Sequence, residues 1–405
     1  MPTTVIHFAM TADALKIACG DIAGFENLIK DYSSYPDFYY SDRSCELEPY
    51  MYFTDGVQFH YLPDTPYNPL YRYWKMEQKN AFLSVPFVNE NFRHAKAGFT
   101  FYLTNAVDKL RCNKHEEALK YLGCLLHMLE DSTFGLHAME GPHGADAFVL
   151  DRISDYGFQP SALLALIEMP DNMVHPEYKP CSLGLNEAEA VMNLYSRYCR
   201  SVEDSRKCCF KYIQSFVADD LDECRTLVER MYGNAVKICA DVIKTVFDIA
   251  DGVDCRREKA LCATEIEPYQ FPFGGFGRYV FNPLLRDYAV DRNGKKMLLE
   301  SAEKVFEYGF SFGSHYRGDL RWDIAPGTFK KFTAELTFHK EYPLDGKISF
   351  KLINNGAEID NFILDRGNIS QKISINSPAG EFGLSFESTP RTGIMILGEP
   401  LFEYC

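Results

Sequence analysis

Residues 115–146 read HEEALKYLGCLLHMLEDSTFGLHAMEGPHGAD, and this stretch contains four of the ten histidines of a 405-residue chain. Leucines recur along its first half at helical spacing, which predicts a mostly buried helix over 114–131. Asn113, with Glu116 three residues later, predicts a capping box at the start of that helix. His127 and Asp131 are four residues apart, so they lie on the same helix face.

The chemistry of this face has two interpretations. A buried imidazole that faces a buried carboxylate needs either a mutual hydrogen bond or a cation. A divalent metal would satisfy both His127 and Asp131, and His137, six residues later, can fold back over the same pocket. The alternative is that His127 and Asp131 pair with each other in the core. These residues alone leave both interpretations open.

The rest of the first 255 residues also has the pattern of a helical domain. Apolar residues recur at helical spacing in five further segments: 5–19, 94–111, 188–200, 205–218 and 223–251. Residues 32–78 are instead dense in Tyr, Pro and Asp, which predicts long loops packed by aromatic side chains. Residues 256–296 are predicted to be a connector, because their Gly-Gly-Phe-Gly stretch lacks the flanking strand and helix of a nucleotide site.

The pattern changes in residues 297–405. Short alternating runs such as KISFKLI are separated by Asp-Gly and Asn-Gly turn signals, which predicts an all-β segment. Alternation places Ile348, Phe350 and Leu352 on the core face of one strand. Trp322 either belongs to that core or offers a stacking platform for a sugar, and the core is the favoured alternative.

Composition restricts partners and location. The chain has 57 acidic and 42 basic residues and a net charge of −15, which disfavours simple binding of a polyanion such as nucleic acid. Its 13 cysteines are an odd number without a C-x-x-C pair, which is typical of reduced thiols. No signal peptide or membrane span is predicted, so a cytoplasmic location is expected; a trimmed N-terminus would instead make the protein secreted.

Three separated stretches resemble the zinc-dependent phospholipases C, whose superfamily includes single-strand nucleases. YLGCLLHMLEDSTFGLHAMEG is similar to the core signature of that family: Tyr-Leu-Gly, then a histidine, three residues, an aspartate, five residues and a histidine. IHFAM, with His7, resembles the N-terminal part of the family. YPDFYY and FHYLPDT, with Asp37 and His60, resemble it in the same order along the chain.

The resemblance implies a phospholipase C-like helical bundle with eight candidate metal ligands: His7, Asp37, His60, His127, Asp131, His137, His143 and Asp146. In the family, the equivalents of four of these hold a first zinc: Asp37, His60, His127 and Asp131. Asp131 would also bridge to a second zinc with His7. A third would take His137 with His143 and Asp146, the nearest candidates, although these two do not keep the family's spacing. One zinc is therefore expected, and two or three if the set is complete.

The C-terminal segment resembles the NPCBM group of carbohydrate-binding modules. The similar stretches are WDIAPGTFKKFTAELTF, residues 322–338, and DGKISFKLINNGAEI, residues 345–359. This resemblance implies a galactose-binding-like β-sandwich with a glycan as its ligand.

Two functional hypotheses follow. The first is a phospholipase C-like phosphoester hydrolase, in which metal-activated water attacks a phosphodiester and Asp37 is both a ligand and a proton acceptor. Its substrate would be a lipid or a small molecule rather than nucleic acid. The alternative is a degenerate, non-catalytic metal-binding protein whose β-sandwich binds carbohydrate or a protein partner.

Overall fold

The computed structural model has helices in the N-terminal half of the chain and β-sheets in the C-terminal half. It describes residues 4–19, 26–39, 87–134, 177–254, 259–269, 284–291, 294–313, 317–343, 346–388 and 393–405. The chain divides into two compact units, Met1–Cys255 and Arg256–Cys405. No helix in these ranges is long and apolar enough to cross a membrane.

Six helices are described in the helical unit: α1 (Thr4–Cys19), α2 (Glu26–Tyr39), α3 (Phe87–Arg111), α4 (His115–Thr133), α5 (Glu187–Val217) and α6 (Leu221–Ala250). Helix α4 contacts each of the other five. Leu122, Leu125, Leu126 and Leu129 of α4 are all buried, which explains its central position. The helix that carries the predicted histidine and aspartate is therefore the core helix of this unit.

The two longest helices have the sequence signals expected of them. Asn186 and Asp220 precede α5 and α6, and their side chains accept hydrogen bonds from the N–H groups of Glu189 and Glu223. The predicted apolar face of α6 is buried: Leu227, Met231, Ala235, Ile238, Val242 and Val246. Helix α5 is continuous, whereas two segments, 188–200 and 205–218, were predicted. No glycine or proline separates those segments, so nothing interrupts the helix.

The predicted loop over 32–78 is wrong at its start. Helix α2 continues to Tyr39, through Pro36 in its last turns. Ser33, Ser34 and Tyr35 are buried, and this packing outweighs the one helical hydrogen bond that a proline removes. Residues 40–86 lie outside the described part of the chain.

The predicted capping box at Asn113 is also wrong. The residue before α4 is Lys114, and no side chain caps the helix start. Asn113 instead has a positive φ of 57°, a conformation that asparagine adopts more readily than most residues at the end of a helix. Its N–H donates to the carbonyl of Leu110 at 2.9 Å. Asn113 therefore ends α3.

Twelve strands are described in the second unit: β1 (Ala260–Cys262), β2 (Leu285–Arg286), β3 (Ala289–Val290), β4 (Lys296–Met297), β5 (Gly309–Gly313), β6 (Arg317–Ile324), β7 (Phe329–Phe338), β8 (Ile348–Asn354), β9 (Ala357–Leu364), β10 (Ser370–Asn376), β11 (Gly380–Ser388) and β12 (Ile394–Tyr404). One sheet has the order β10-β7-β12-β5-β2, with β1 also on β12, and the other has the order β6-β11-β8-β9. Strands β1 and β2 thus lie within the stretch that the sequence assigned to a connector, 256–296.

The two sheets pack face to face through aromatic side chains. Trp322 and Phe382 of the four-stranded sheet contact Phe310, Phe332 and Phe402 of the larger one, with ring centroids 4.9–6.5 Å apart. A separate set confirms the predicted core face of β8: Ile348, Phe350 and Leu352 are all buried. This unit is a β-sandwich with an aromatic core.

Candidate functional site

Two of the predicted metal ligands, His7 and His127, lie side by side inside the helical unit. Their imidazole rings stack with centroids 4.5 Å apart and planes inclined by 25°. Neither residue has exposed surface. Helices α1 and α4, which carry them, contact each other directly. The fold therefore brings together two histidines from widely separated positions in the sequence.

His127 is oriented by the backbone of α2. Its Nδ1 lies 2.7 Å from the carbonyl oxygen of Ser33. Because a carbonyl only accepts, Nδ1 carries the proton and donates. Gly123, one helical turn before His127, allows the approach: a Cβ at this position would lie 2.6 Å from the Cβ of Tyr32. The glycine of the Tyr-Leu-Gly motif thus lets α2 come close enough to fix the imidazole.

His7 is oriented by a carboxylate. Its Nδ1 lies 2.7 Å from Oε2 of Glu130, and Thr11 Oγ1 donates to Oε1 of the same carboxylate at 2.7 Å. All three residues are completely buried. Since an ionised carboxylate only accepts, His7 also has its proton on Nδ1. Both histidines therefore present Nε2 as the only ring nitrogen through which either could bind a metal.

Sequence reasoning missed Glu130. It is the glutamate between Leu129 and Asp131, three residues after His127 and thus near the same face of α4. A carboxylate inside a run of leucines that was itself predicted to be buried was a usable signal. The histidine–carboxylate pair that the structure describes is His7 with Glu130, whereas the sequence considered His127 with Asp131.

The remaining predicted ligands are not described as a set. Asp37 lies on α2, rather than in the loop expected for it, and Asp131 lies on α4. Six predicted side chains fall outside the described part of the structure: Asp37, His60, Asp131, His137, His143 and Asp146. Among the side chains that are described, no three or more from His, Cys, Asp and Glu form a metal-binding group.

A second polar cluster surrounds Asp241 of α6. Its buried carboxylate accepts hydrogen bonds from the Tyr178 hydroxyl at 2.7 and 2.9 Å and from the Cys181 N–H at 2.9 Å. Arg197 Nη1 lies 2.8 Å away. Burial raises the pKa of Asp241, and Arg197 opposes that shift. Burial also raises the pKa of the Cys181 thiol, which makes it a poor nucleophile at neutral pH. This cluster fixes residues 178–181 on α6.

A third buried carboxylate, Asp13, lies on α1. The Tyr232 hydroxyl donates to its Oδ2 at 2.8 Å, and Lys16 Nζ donates to its Oδ1 at 3.0 Å. Burial and then the hydrogen bond to Asp13 raise the pKa of Tyr232, so this hydroxyl stays a neutral donor. The interior of the helical unit thus contains three buried carboxylates, and each has at least two polar contacts.

In the β-sandwich, Trp322 is a core residue and not a platform for sugars. It is 1% exposed, and its Nε1 donates to the carbonyl of Ile266 at 3.1 Å. This confirms the core alternative. The charged residue nearest to it in sequence, Arg321, is itself buried and lies 3.1 Å from Asp319 and 3.4 Å from Glu381.

Comparison with known proteins gives distant structural likenesses. No protein-family model and no curated protein matches the chain. The alpha toxin from Clostridium absonum is 11% identical over 99% of this chain and 94% of the toxin, with a TM-score of 0.35.

The other likenesses concern carbohydrate-binding modules and cover about a third of the chain. Tandem CBM51 modules of a Streptococcus pneumoniae family 98 glycoside hydrolase are 16% identical over 35% of this chain, with a TM-score of 0.28, and only 46% of that structure is covered. A Clostridium perfringens CBM51, solved with methyl-galactose, is 12% identical over 35% of this chain and 99% of its own, with a TM-score of 0.27. At these values, function has to be argued from the side chains.

Proposed function

We propose that the protein is a zinc-dependent phosphoester hydrolase of the phospholipase C type. The observation that carries the proposal is the buried pair His7 and His127, with Nδ1 of each held by an oxygen. Histidines that bind zinc typically donate their other ring N–H to a carboxylate or a backbone carbonyl, which fixes the tautomer. Glu130 and the Ser33 carbonyl occupy these two roles.

The same pair fits zinc electrostatically. Two buried imidazolium ions in stacked contact would repel each other, and their charges would be costly to bury. Neutral rings with the proton on Nδ1 avoid this cost and leave the Nε2 lone pairs for a metal. In the proposal, His127 belongs to the first zinc with Asp37, His60 and Asp131, and His7 shares a second with Asp131. His137, His143 and Asp146 are proposed for a third.

Zinc in such a site supplies a Lewis acid for the phosphoryl oxygen and lowers the pKa of bound water toward ~7. The chain's own residues orient and transfer protons. Ser33 and Glu130 orient the two histidines, and Asp37 accepts the proton that the attacking water loses. A phosphodiester in a lipid or a small molecule is the proposed substrate, because the net charge of −15 disfavours a polyanion.

The domain assignment and location belong to this proposal. We assign residues 1–255 to the phospholipase C-like domain, 256–296 to a connector and 297–405 to a carbohydrate-binding sandwich whose ligand is a glycan. A cytoplasmic location stays a prediction.

The test is a metal count on a matched pair of variants. His127→Ala should lose at least one zinc per chain by elemental analysis, with a lower melting temperature, because a metal that binds only the folded state stabilises it. His115→Ala is the control, since His115 is exposed on the same helix. Wild type and control should hydrolyse a nitrophenyl phosphocholine, and His127→Ala should not. Equal zinc contents in both variants would contradict the proposal.

One contact favours a second candidate, a non-catalytic protein. His7 and Glu130 can satisfy each other by their 2.7 Å hydrogen bond without a metal. In that case the β-sandwich, which would bind carbohydrate or a protein partner, is the functional part. A single, coordinatively closed zinc per chain supports this candidate, whereas two or three zincs support catalysis.

A further inference from the structure

We propose that Glu130 is a positioning residue that raises the affinity of His7 for zinc through its negative charge, an inference that rests on the proposed function. Glu130 is not among the ligands that the sequence motif supplies. It acts through Nδ1 of His7, so its effect on a metal would be indirect.

The geometry assigns both oxygens of Glu130 to fixed partners. Oε2 accepts from His7 and Oε1 accepts from Thr11, each at 2.7 Å. Distances of this length are typical of strong hydrogen bonds to an ionised acceptor. Thr11 lies one helical turn after His7 on α1, so one helix supplies both donors and a different helix, α4, supplies the acceptor.

This arrangement has two separable effects on His7. The hydrogen bond holds the proton on Nδ1, which leaves Nε2 as the donor atom for a metal. The negative charge also makes the ring a stronger base and offsets the positive charge that a metal places on it. His127 is oriented by the neutral Ser33 carbonyl, and it gains the first effect without the second. The structure therefore distinguishes the two histidines by the charge of the group behind them.

Glu130→Gln separates the two effects. The amide oxygen can still accept from His7, and the amide N–H can donate to the Thr11 hydroxyl, which also accepts. Both hydrogen bonds are retained while the charge is lost. Glu130→Leu removes both the bonds and the charge. Glu116→Gln is the matched control, because the side chain of Glu116 is 72% exposed on the same helix.

The experiment measures zinc affinity and the tautomer of His7 in the full-length chain. Zinc binding is titrated against a chelator of known affinity, and the tautomer is measured by nitrogen-15 NMR of the metal-free protein, with His7→Ala for assignment. We expect Glu130→Gln to keep the Nδ1–H tautomer and to weaken one zinc by about 10-fold. Glu130→Leu should mix the tautomers and weaken the same zinc by up to about 100-fold.

The outcomes separate this inference from the proposed function. If wild type binds no zinc, the proposed function fails and this inference fails with it. If wild type binds zinc and Glu130→Gln binds every zinc equally well, only the inference is wrong, because a purely structural Glu130 would tolerate the isosteric amide. Weakening of the zinc that His127→Ala removes, rather than the zinc that His7→Ala removes, would also overturn it.

Discussion

The interiors of the two units are built from different chemistry. In the helical unit, buried histidines and carboxylates lie between helices whose contacts are otherwise aliphatic, and Glu130 and Asp241 have no exposed surface. In the β-sandwich, the space between the sheets is filled by Trp322 and several phenylalanines. Each buried ionisable group costs free energy unless it is paired, whereas aromatic packing is directly stabilising.

This difference indicates where chemistry is expected. A protein interior that retains ionisable side chains at a cost in stability is a candidate for a binding or reactive site. The interior of the sandwich offers no comparable group next to Trp322, so a ligand of that unit would have to bind on its surface. Three predictions test the contrast, from the largest expected effect to the smallest.

The largest effect is expected from Trp322→Ala. The side chain is 1% exposed and contacts aromatic rings of both sheets. Its removal should destabilise the sandwich by about 3–5 kcal/mol, through lost burial and the cavity left behind. Urea unfolding followed by circular dichroism should show the β transition shifted and the helical one unchanged. Ile363→Ala, whose side chain is 51% exposed, should leave both transitions in place.

Asp241→Ala should destabilise the helical unit by about 3 kcal/mol, because it leaves buried donors without their acceptor. The donors are the Tyr178 hydroxyl and the Cys181 N–H. Urea unfolding of the helical transition measures the loss. Adding Arg197→Met to this variant should cost less than the same change in wild type, since the two residues form one ion pair. Fully additive losses would show that the cluster is not a coupled unit.

The sequence predicted those elements whose signals are local. Helix α6 follows from a sustained apolar face, and the core face of β8 follows from strict alternation at Ile348, Phe350 and Leu352. Helix α2 did not follow, because buried contacts to other helices outweigh the proline in its last turns. The start of α4 was misassigned because Asn113 ends the preceding helix, and local sequence does not distinguish an N-cap from a C-terminal asparagine.

The candidate site was predictable in part for a similar reason. His127 is recognisable from one helix because its neighbours in sequence are leucines. His7 was identified only through a family resemblance, since its proximity to His127 depends on the contact between α1 and α4. Glu130 stayed hidden because its role is set by two donors, His7 and Thr11, on a different helix. Long-range pairing of this kind is not encoded in the periodicity of either segment.

The smallest expected effect concerns a carboxylate near the surface of the helical unit, Asp204. Arg230 Nε and Asn234 Nδ2 each donate to Asp204 Oδ2 at 2.8 Å. Burial raises the pKa of Asp204, but the hydrogen bonds from Arg230 and Asn234 outweigh burial, so the pKa lies below the usual 3.8. The folded state therefore binds the Asp204 proton less tightly than the unfolded state does.

The sign of the pH dependence follows from that difference. Asp204 contributes stability above pH 3.8, and this contribution is lost as the pH falls through the lower pKa of the folded state. Asp204→Asn should cost about 1 kcal/mol at neutral pH, because the pair is partly exposed. Urea unfolding at several pH values should show the gap between variant and wild type narrowing below pH 3.8. Asp222→Asn, with a side chain 99% exposed, should show no gap at any pH. A gap for Asp204→Asn that stays constant into acid would mean that the carboxylate packs as a neutral group, and the contrast between charged and apolar interiors would then not extend to the edge of the helical unit.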